Sequence, residues 1–264
     1  MRRVWTLTTE YRTRIAPTPS GFLHEGNLLN FLLVERLARE VGATIALRID
    51  DMDVFRMRPE YVDDIFRCLD WLGIAWELGP HTFSAWYESP TPEERADHYY
   101  DMLTAMVDRG LPAFVCACSR RDLGRDARCE AGCLTRRLPY VPGKTAVRIR
   151  VPEDQPDLHA AMGDFVLWRR EDLPAYQLAS LIDDHEMCIS HIVRGEDLRI
   201  STIAQRYLAS FLDESPFMHA DIRHHALLTD PDGKKLSKSQ GTAALELTSA
   251  LRERLDTILH GNAF

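Results

Sequence analysis

The segment from residue 12 to residue 49 constrains the fold more than any other. Arg14-Ile15-Ala16 has the character of a buried strand end, and Ala43-Thr44-Ile45-Ala46-Leu47-Arg48-Ile49 reads as a second, mostly apolar strand. Between them lie the loop Pro17-Thr18-Pro19-Ser20-Gly21 and a helix predicted from about Asn27 to Val41. Leu28, Leu29, Phe31, Leu32, Leu33, Val34, Leu37, Ala38 and Val41 make that helix apolar almost all round, so it belongs inside the protein. Gly42 stops it. Strand, loop, helix and strand form one right-handed βαβ unit, which sets the class as α/β with a parallel sheet. An anion such as phosphate would sit over the helix N-terminus, where free N–H groups and the dipole favour negative charge. Gly26 permits close approach there because it has no Cβ, and His24 is placed to donate to a phosphate oxygen.

A second motif near the other end supplies cations. The turn Asp230-Pro231-Asp232-Gly233 leads into Lys234-Lys235-Leu236-Ser237-Lys238-Ser239. A loop carrying Lys235 and Lys238 can close over a triphosphate and neutralise a leaving pyrophosphate. Alone, this motif reads better as a solvated loop. Paired with the first, it reads as half of an ATP site that makes an acyl-adenylate.

Composition narrows the class further. The chain of 264 residues is 45% hydrophobic and 27% charged, as suits one large globular domain or one domain with an insertion. It has no apolar run long enough to span a membrane, and residues 1–10 lack the apolar core of a signal peptide, so a cytoplasmic monomer is expected. The net charge of −8 argues against wholesale binding of nucleic acid. Arg120, Arg121, Arg125, Arg128, Arg136 and Arg137 nevertheless crowd one segment, and a local basic face can bind a polyanion on an acidic protein.

That basic segment also holds four of the six cysteines: Cys116, Cys118, Cys129 and Cys133. Two closely spaced pairs across a short loop can supply four thiolates to one tetrahedral Zn²⁺. A closed site of this kind is structural and would staple a segment with little apolar content of its own. Reduced free thiols and a degenerate site that has lost its metal are the alternatives. Cys68 and Cys188 lie in apolar stretches and are expected in the core.

Four further residues gather at strand ends or next to them. Arg14 closes the first strand and Arg194 closes the apolar run from Cys188 to Val193. Ligands bind at such carboxyl ends in open α/β sheets, and two guanidinium groups can hold a carboxylate by paired hydrogen bonds. Asp50 ends the second strand, where it would meet an ammonium group, and Tyr176 precedes a helix and offers a hydroxyl. Each of the four alone reads equally as a structural partner.

Together these segments resemble the class I aminoacyl-tRNA synthetases. His24-Glu25-Gly26-Asn27 and Lys235-Leu236-Ser237-Lys238-Ser239 are similar to the two signature motifs of that family, known as HIGH and KMSKS. The glutamyl branch is closer still, through residues 14–21, Leu47 to Asp53, Asp183-Asp184-His185 and Ile192 to Leu198. The resemblance implies a Rossmann-like parallel sheet with a zinc-binding insertion. It divides the chain into residues 1–110 and 145–241 as the two catalytic halves, 111–144 as the insertion and 242–264 as a short C-terminal helical region. It also implies glutamate held by Arg14, Asp50, Tyr176 and Arg194. ATP with Mg²⁺ would lie against His24, Gly26, Asn27, Glu196, Lys235 and Lys238, and one structural zinc would be bound. His24, Lys235 and Lys238 would stabilise the reacting charge, with no separate general acid or base.

Three departures from the family pattern matter. Asp50 stands where the family usually has glutamate, and Asn27 fills the second polar position of the first motif. Cys129 takes a place where short relatives often carry tyrosine. After Ser239 the chain holds one amphipathic helix, about Thr248 to His260, with Leu251, Leu255, Ile258 and Leu259 as its stripe. No room remains for an anticodon-binding region. The resemblance thus extends to truncated members that transfer glutamate to the queuosine base of tRNA(Asp). A glutamate-activating transferase with another acceptor (a carrier protein, a small molecule or a tRNA 3′ end) and a non-catalytic paralogue are the rival readings.

Overall fold

A computed structural model describes residues 10–123, 128–130, 132–228 and 243–261. Strand β1 (Arg12–Ile15) leads through the proline-rich loop into helix α1 (Glu25–Val41), and β2 (Thr44–Leu47) follows. β1 and β2 pair in parallel, with Arg14 opposite Ala46 and Ile15 opposite Leu47. The helix starts two residues before its expected first turn because His24 and Asn27 close a capping box at its N-terminus. Gly42 ends it at φ 69°, the left-handed conformation that glycine adopts without strain.

Helices α2 (Pro59–Leu72), α3 (Phe83–Tyr87) and α4 (Pro92–Asp108) come next. Thr91 and Glu94 form the capping box expected at the start of α4. β3 (Ala113–Cys116), the short α5 (Cys133–Arg136), β4 (Ala146–Ile149), α6 (Pro156–Met162) and β5 (Val166–Trp168) follow. Here the sheet changes character: β3, β4 and β5 run antiparallel. The strand that returns from the cysteine-bearing segment therefore pairs with the strand that enters it, and this sheet continues to Trp168.

The parallel layer resumes after α7 (Tyr176–Glu186). β6 (His191–Gly195) pairs in parallel with β7 (Asp221–His225), and α8 (Arg199–Ala209) connects them. β6 lies beside β1, where Ser190 N–H donates to the Arg12 carbonyl at 3.0 Å. The order across the layer is thus β2, β1, β6, β7, with β1 and β6 joined at their starts. Helix α9 (Ser249–Gly261) packs back against α1 through Leu251 and Leu255, with Ile258 and Leu259 partly buried behind them. No helix among the described residues is long and apolar enough to cross a membrane.

Two apolar cores result. One surrounds α1 and α2, the other packs α4, α7 and α8 against the antiparallel sheet. Cys68 is fully buried in the first core, as its sequence context implies. Cys188 is not in a core: it is exposed, at φ 53°, where the chain turns left-handed out of α7. The strand expected from Cys188 begins only at His191 because that turn consumes the residues before it.

Leu33 sits at the centre of α1 with no exposed surface. Replacing it by alanine leaves a cavity between two layers that cannot both close in. Leu33→Ala is expected to destabilise the protein by about 2–5 kcal/mol, read as a lowered chemical-denaturation midpoint at unchanged slope.

Candidate active site

The carboxyl ends of β1, β2 and β6, the N-terminus of α1 and the inner face of α7 enclose one cavity of about 410 Å³. Arg14, His24, Gly26, Asn27, Asp50, Tyr176 and Arg194 all line it. Residues more than a hundred positions apart in sequence thus meet at the place where open α/β sheets bind ligands. Glu196 stands outside the lining and pairs with Arg199 at 2.8 Å, while Gly195 and Asp197 on either side of it line the cavity. Lys235 and Lys238 lie outside the described residues.

At the helix end, His24 Nδ1 accepts from Gly26 N–H at 3.1 Å. The neutral imidazole then carries its proton on Nε2, which makes that nitrogen the donor of the ring. Asn27 was expected to offer its amide to a ligand. Its Oδ1 accepts from His24 N–H at 3.1 Å and closes the capping box, which leaves the amide N–H groups as its donors. A Cβ at position 26 would lie 3.0 Å from the His24 ring, so the glycine keeps space beside the imidazole.

The opposite end is a charge network that the sequence does not display. Asp184 on α7 is completely buried, and one of its oxygens accepts from Arg14 at 3.0 Å and from Arg48 at 2.7 Å. Arg194 approaches the other oxygen at 3.9 Å. Burial pushes the Asp184 carboxyl up, but Arg14, Arg48 and Arg194 outweigh it and hold it below its ordinary value. Arg48 also grips both oxygens of Asp50, at 2.6 and 3.3 Å, and donates to Ser180 Oγ at 3.1 Å. Burial pulls the Arg48 guanidinium down, and Asp50, Asp184 and Asp183 more than offset this, so it stays charged.

Arg194 is in a different position. It donates from one nitrogen to Gln205 Oε1 at 2.7 Å and Thr202 Oγ1 at 3.3 Å, but Nε and the other terminal nitrogen are buried with no hydrogen-bond partner. Burial, and then the charge of Arg14, push it down to about 10. Two donor nitrogens of a buried guanidinium thus make no hydrogen bond, and a ligand carboxylate in the cavity would accept from them. Tyr176, the first residue of α7, is half-exposed beside it.

The four cysteines form a separate cluster, carried by the end of β3, the loop after it and α5. Their sulfurs all lie within 4.8 Å of one another. Cys116 to Cys129, Cys118 to Cys129 and Cys118 to Cys133 are each 3.7 Å apart. That is far beyond a disulfide bond, and all four thiols are free. Four sulfurs at about 2.3 Å from one zinc define a tetrahedron with edges of roughly 3.8 Å, so the donor set and its spacing fit this ion. Some of the neighbouring arginines serve this loop. Arg150 donates to the Cys129 carbonyl at 3.1 Å and Arg170 to the Ala117 carbonyl at 2.6 Å. Asp164 accepts from Cys129 N–H at 2.8 Å.

A parallel sheet with a buried helix pointing its N-terminus into a cavity of paired arginines and carboxylates is the architecture of a class I nucleotide-dependent ligase. The family model for the catalytic domain of class I tRNA synthetases (E and Q) matches residues 10–138 and 141–254, and the chain belongs to that family. Within it, the chain is 38% identical over 253 residues to the glutamyl-Q tRNA(Asp) synthetase of Synechococcus sp. strain CC9605, covering 92% of this chain and 79% of that protein. It is 34% identical over 262 residues to the protein of the same name in Methylococcus capsulatus, covering 94% and 82%. Among solved structures, a glutamate tRNA ligase from Elizabethkingia meningosepticum, in complex with its amino acid, superposes with a TM-score of 0.69 at 25% identity. The chain spans about half of that longer protein, with 88% of this chain matched against 52% of the other. The resemblance read from the motifs is therefore borne out for the family, the fold and the ligase class.

Sequence reasoning missed Arg48 and Asp184 as members of the site, although both fall in segments that carry the resemblance. A charged residue next to Leu181 and Ile182 on a buried helix was the available signal. Asp183 beside it accepts from the Tyr99 hydroxyl at 2.6 Å and lies 3.6 Å from Arg48. Burial pushes its carboxyl up, and although Arg48 pulls it down, Asp50 adds to the rise, leaving it at about 6. The folded state thus binds this proton more tightly than the unfolded chain. Its contribution to stability is present below about pH 4 and is lost as pH rises through 6. Relative to Asp183→Asn, the wild type is expected to lose stability between pH 4.5 and 7 in urea unfolding. A difference that does not change with pH would refute this.

Proposed function

We propose that this protein activates glutamate with ATP as glutamyl-adenylate and transfers the glutamyl group to the queuosine base of tRNA(Asp). The observation that carries the first half is the unpaired edge of Arg194 beside Arg14, a socket for one more carboxylate. The γ-carboxylate of glutamate fits there. Asp50, fixed by Arg48, takes the α-ammonium group and the Tyr176 hydroxyl adds a hydrogen bond. Glutamate so held points its α-carboxylate towards the N-terminus of α1.

The chemistry then needs positioning more than acid–base catalysis. A carboxylate oxygen attacks the α-phosphorus of ATP, a new P–O bond forms, and the bond to pyrophosphate breaks. His24 Nε2–H donates to the phosphate oxygens as their charge grows, and the α1 terminus at Gly26 and Asn27 adds its dipole. Lys235 and Lys238 neutralise the departing pyrophosphate, and Mg²⁺ accompanies ATP as substrate; Glu196, outside the cavity lining, takes no part in this reading. Attack of the acceptor on the glutamyl carbonyl releases AMP. Residues 1–110 and 145–241 make up the catalytic unit in this reading, 111–144 the cysteine-bearing insertion and 242–264 the C-terminal helix. The protein acts as a cytoplasmic monomer.

The acceptor rests on the relatives that carry the name glutamyl-Q tRNA(Asp) synthetase and match most of the chain at 34–38% identity. Radiolabelled glutamate and ATP offered with two tRNA(Asp) samples, one containing queuosine and one lacking it, are expected to label only the first. Label on both samples would move the acceptor elsewhere on the tRNA. Label on neither, with pyrophosphate exchange still running, would indicate a different acceptor.

For the insertion we propose one structural Zn²⁺ held by Cys116, Cys118, Cys129 and Cys133. Metal analysis of purified protein is expected to find about one zinc per chain, and Cys129→Ser to lower the occupancy and the stability together. A folded, metal-free preparation of unchanged stability would sink this assignment.

A further inference from the structure

Asn30 stands one turn beyond Gly26 on α1 and lines the same cavity. Its surroundings orient its amide completely. Asn30 Nδ2 is 3.4 Å from the Val193 carbonyl and 3.1 Å from His225 Nε2. A carbonyl can only accept, so the nitrogen side of the amide has to face Val193. His225 Nδ1 is 2.8 Å from the Ala226 carbonyl, so the ring proton sits on Nδ1 and Nε2 accepts from Asn30. His225 itself is buried at the end of β7.

The row Asn30, His225, Ala226 therefore has a single polarity, and only Oδ1 of the amide is left over. It bonds to none of the described residues and is not sealed from solvent. The cavity it faces is lined in part by apolar side chains, Phe31, Val193, Leu227 and Leu228. A flat heterocycle with one N–H donor on its edge complements an apolar wall holding one fixed acceptor.

We propose that Asn30 is a specificity-determining residue for the nucleotide, its Oδ1 accepting a hydrogen bond from the 6-amino group of adenine, with His225 as the positioning residue that fixes the amide. The inference rests on the ATP reading above and deepens it. A purine with a 6-carbonyl would set acceptor against acceptor at the same point and be rejected.

The test is glutamate-dependent pyrophosphate exchange by the full chain, with ATP compared against purine riboside triphosphate, which lacks only the 6-amino group. The wild type is expected to use the analogue with kcat/KM about tenfold lower, the loss from one unmade hydrogen bond that leaves a desolvated acceptor. In Asn30→Ala the two nucleotides are expected to converge to within about twofold, because the acceptor is gone. A residue that only supports the fold would lower both rates and leave their ratio intact. Equal use of the two nucleotides by the wild type, which needs no variant, overturns the proposal. So does a tenfold gap that persists in Asn30→Ala. Absence of exchange with either nucleotide overturns the activation reading itself, and this inference with it.

Discussion

The buried carboxylate of Asp184 is the interaction on which the site depends. It sits on α7, yet its partners come from the ends of β1 (Arg14), β2 (Arg48) and β6 (Arg194). One acidic group therefore registers three strands and a helix against one another at the carboxyl edge of the sheet. Buried ion pairs of this kind add little net stability, since desolvation offsets most of the attraction. Their effect is on geometry: each guanidinium has one low-energy orientation, and that orientation aims it at the cavity.

The network is also unbalanced in a useful way. Arg48 is saturated by Asp50, Asp184 and Ser180, whereas Arg194 keeps two buried nitrogens without a hydrogen bond. Buried donor nitrogens without a hydrogen bond are thus held in place beside the cavity. Asn30, fixed by His225, adds one acceptor to the same cavity. The N-terminus of α1 also opens onto it and favours negative charge. Arginines, the helix N-terminus and the Asn30 acceptor all line one cavity.

The antiparallel unit follows a different logic. Its sulfurs already stand at the separations of a tetrahedral site, and the carbonyls of the cysteine loop are held by Arg150 and Arg170. Of the arginines that read in sequence as a basic surface, Arg128 turns inward to the Val151 carbonyl, while Arg136 and Arg137 remain exposed.

The sequence by itself determined the periodicity-driven parts of this protein. The apolar helix α1, its glycine stop, the flanking strands, the capping box at Thr91 and the cysteine pairs are local patterns, legible because their causes lie within a few residues. The positions of Arg14, Asp50, Tyr176 and Arg194 were legible too, as residues at or beside strand ends. Tertiary structure alone decided the partners. It gave Asp50 to Arg48, put the Asn27 amide oxygen to work as a cap, exposed Cys188 on a left-handed turn and set Glu196 outside the cavity. It also joined Asn30 to His225 across the whole chain. Hydrogen bonds and ion pairs of that range depend on how layers stack, and no local pattern of hydrophobicity or charge encodes the stacking.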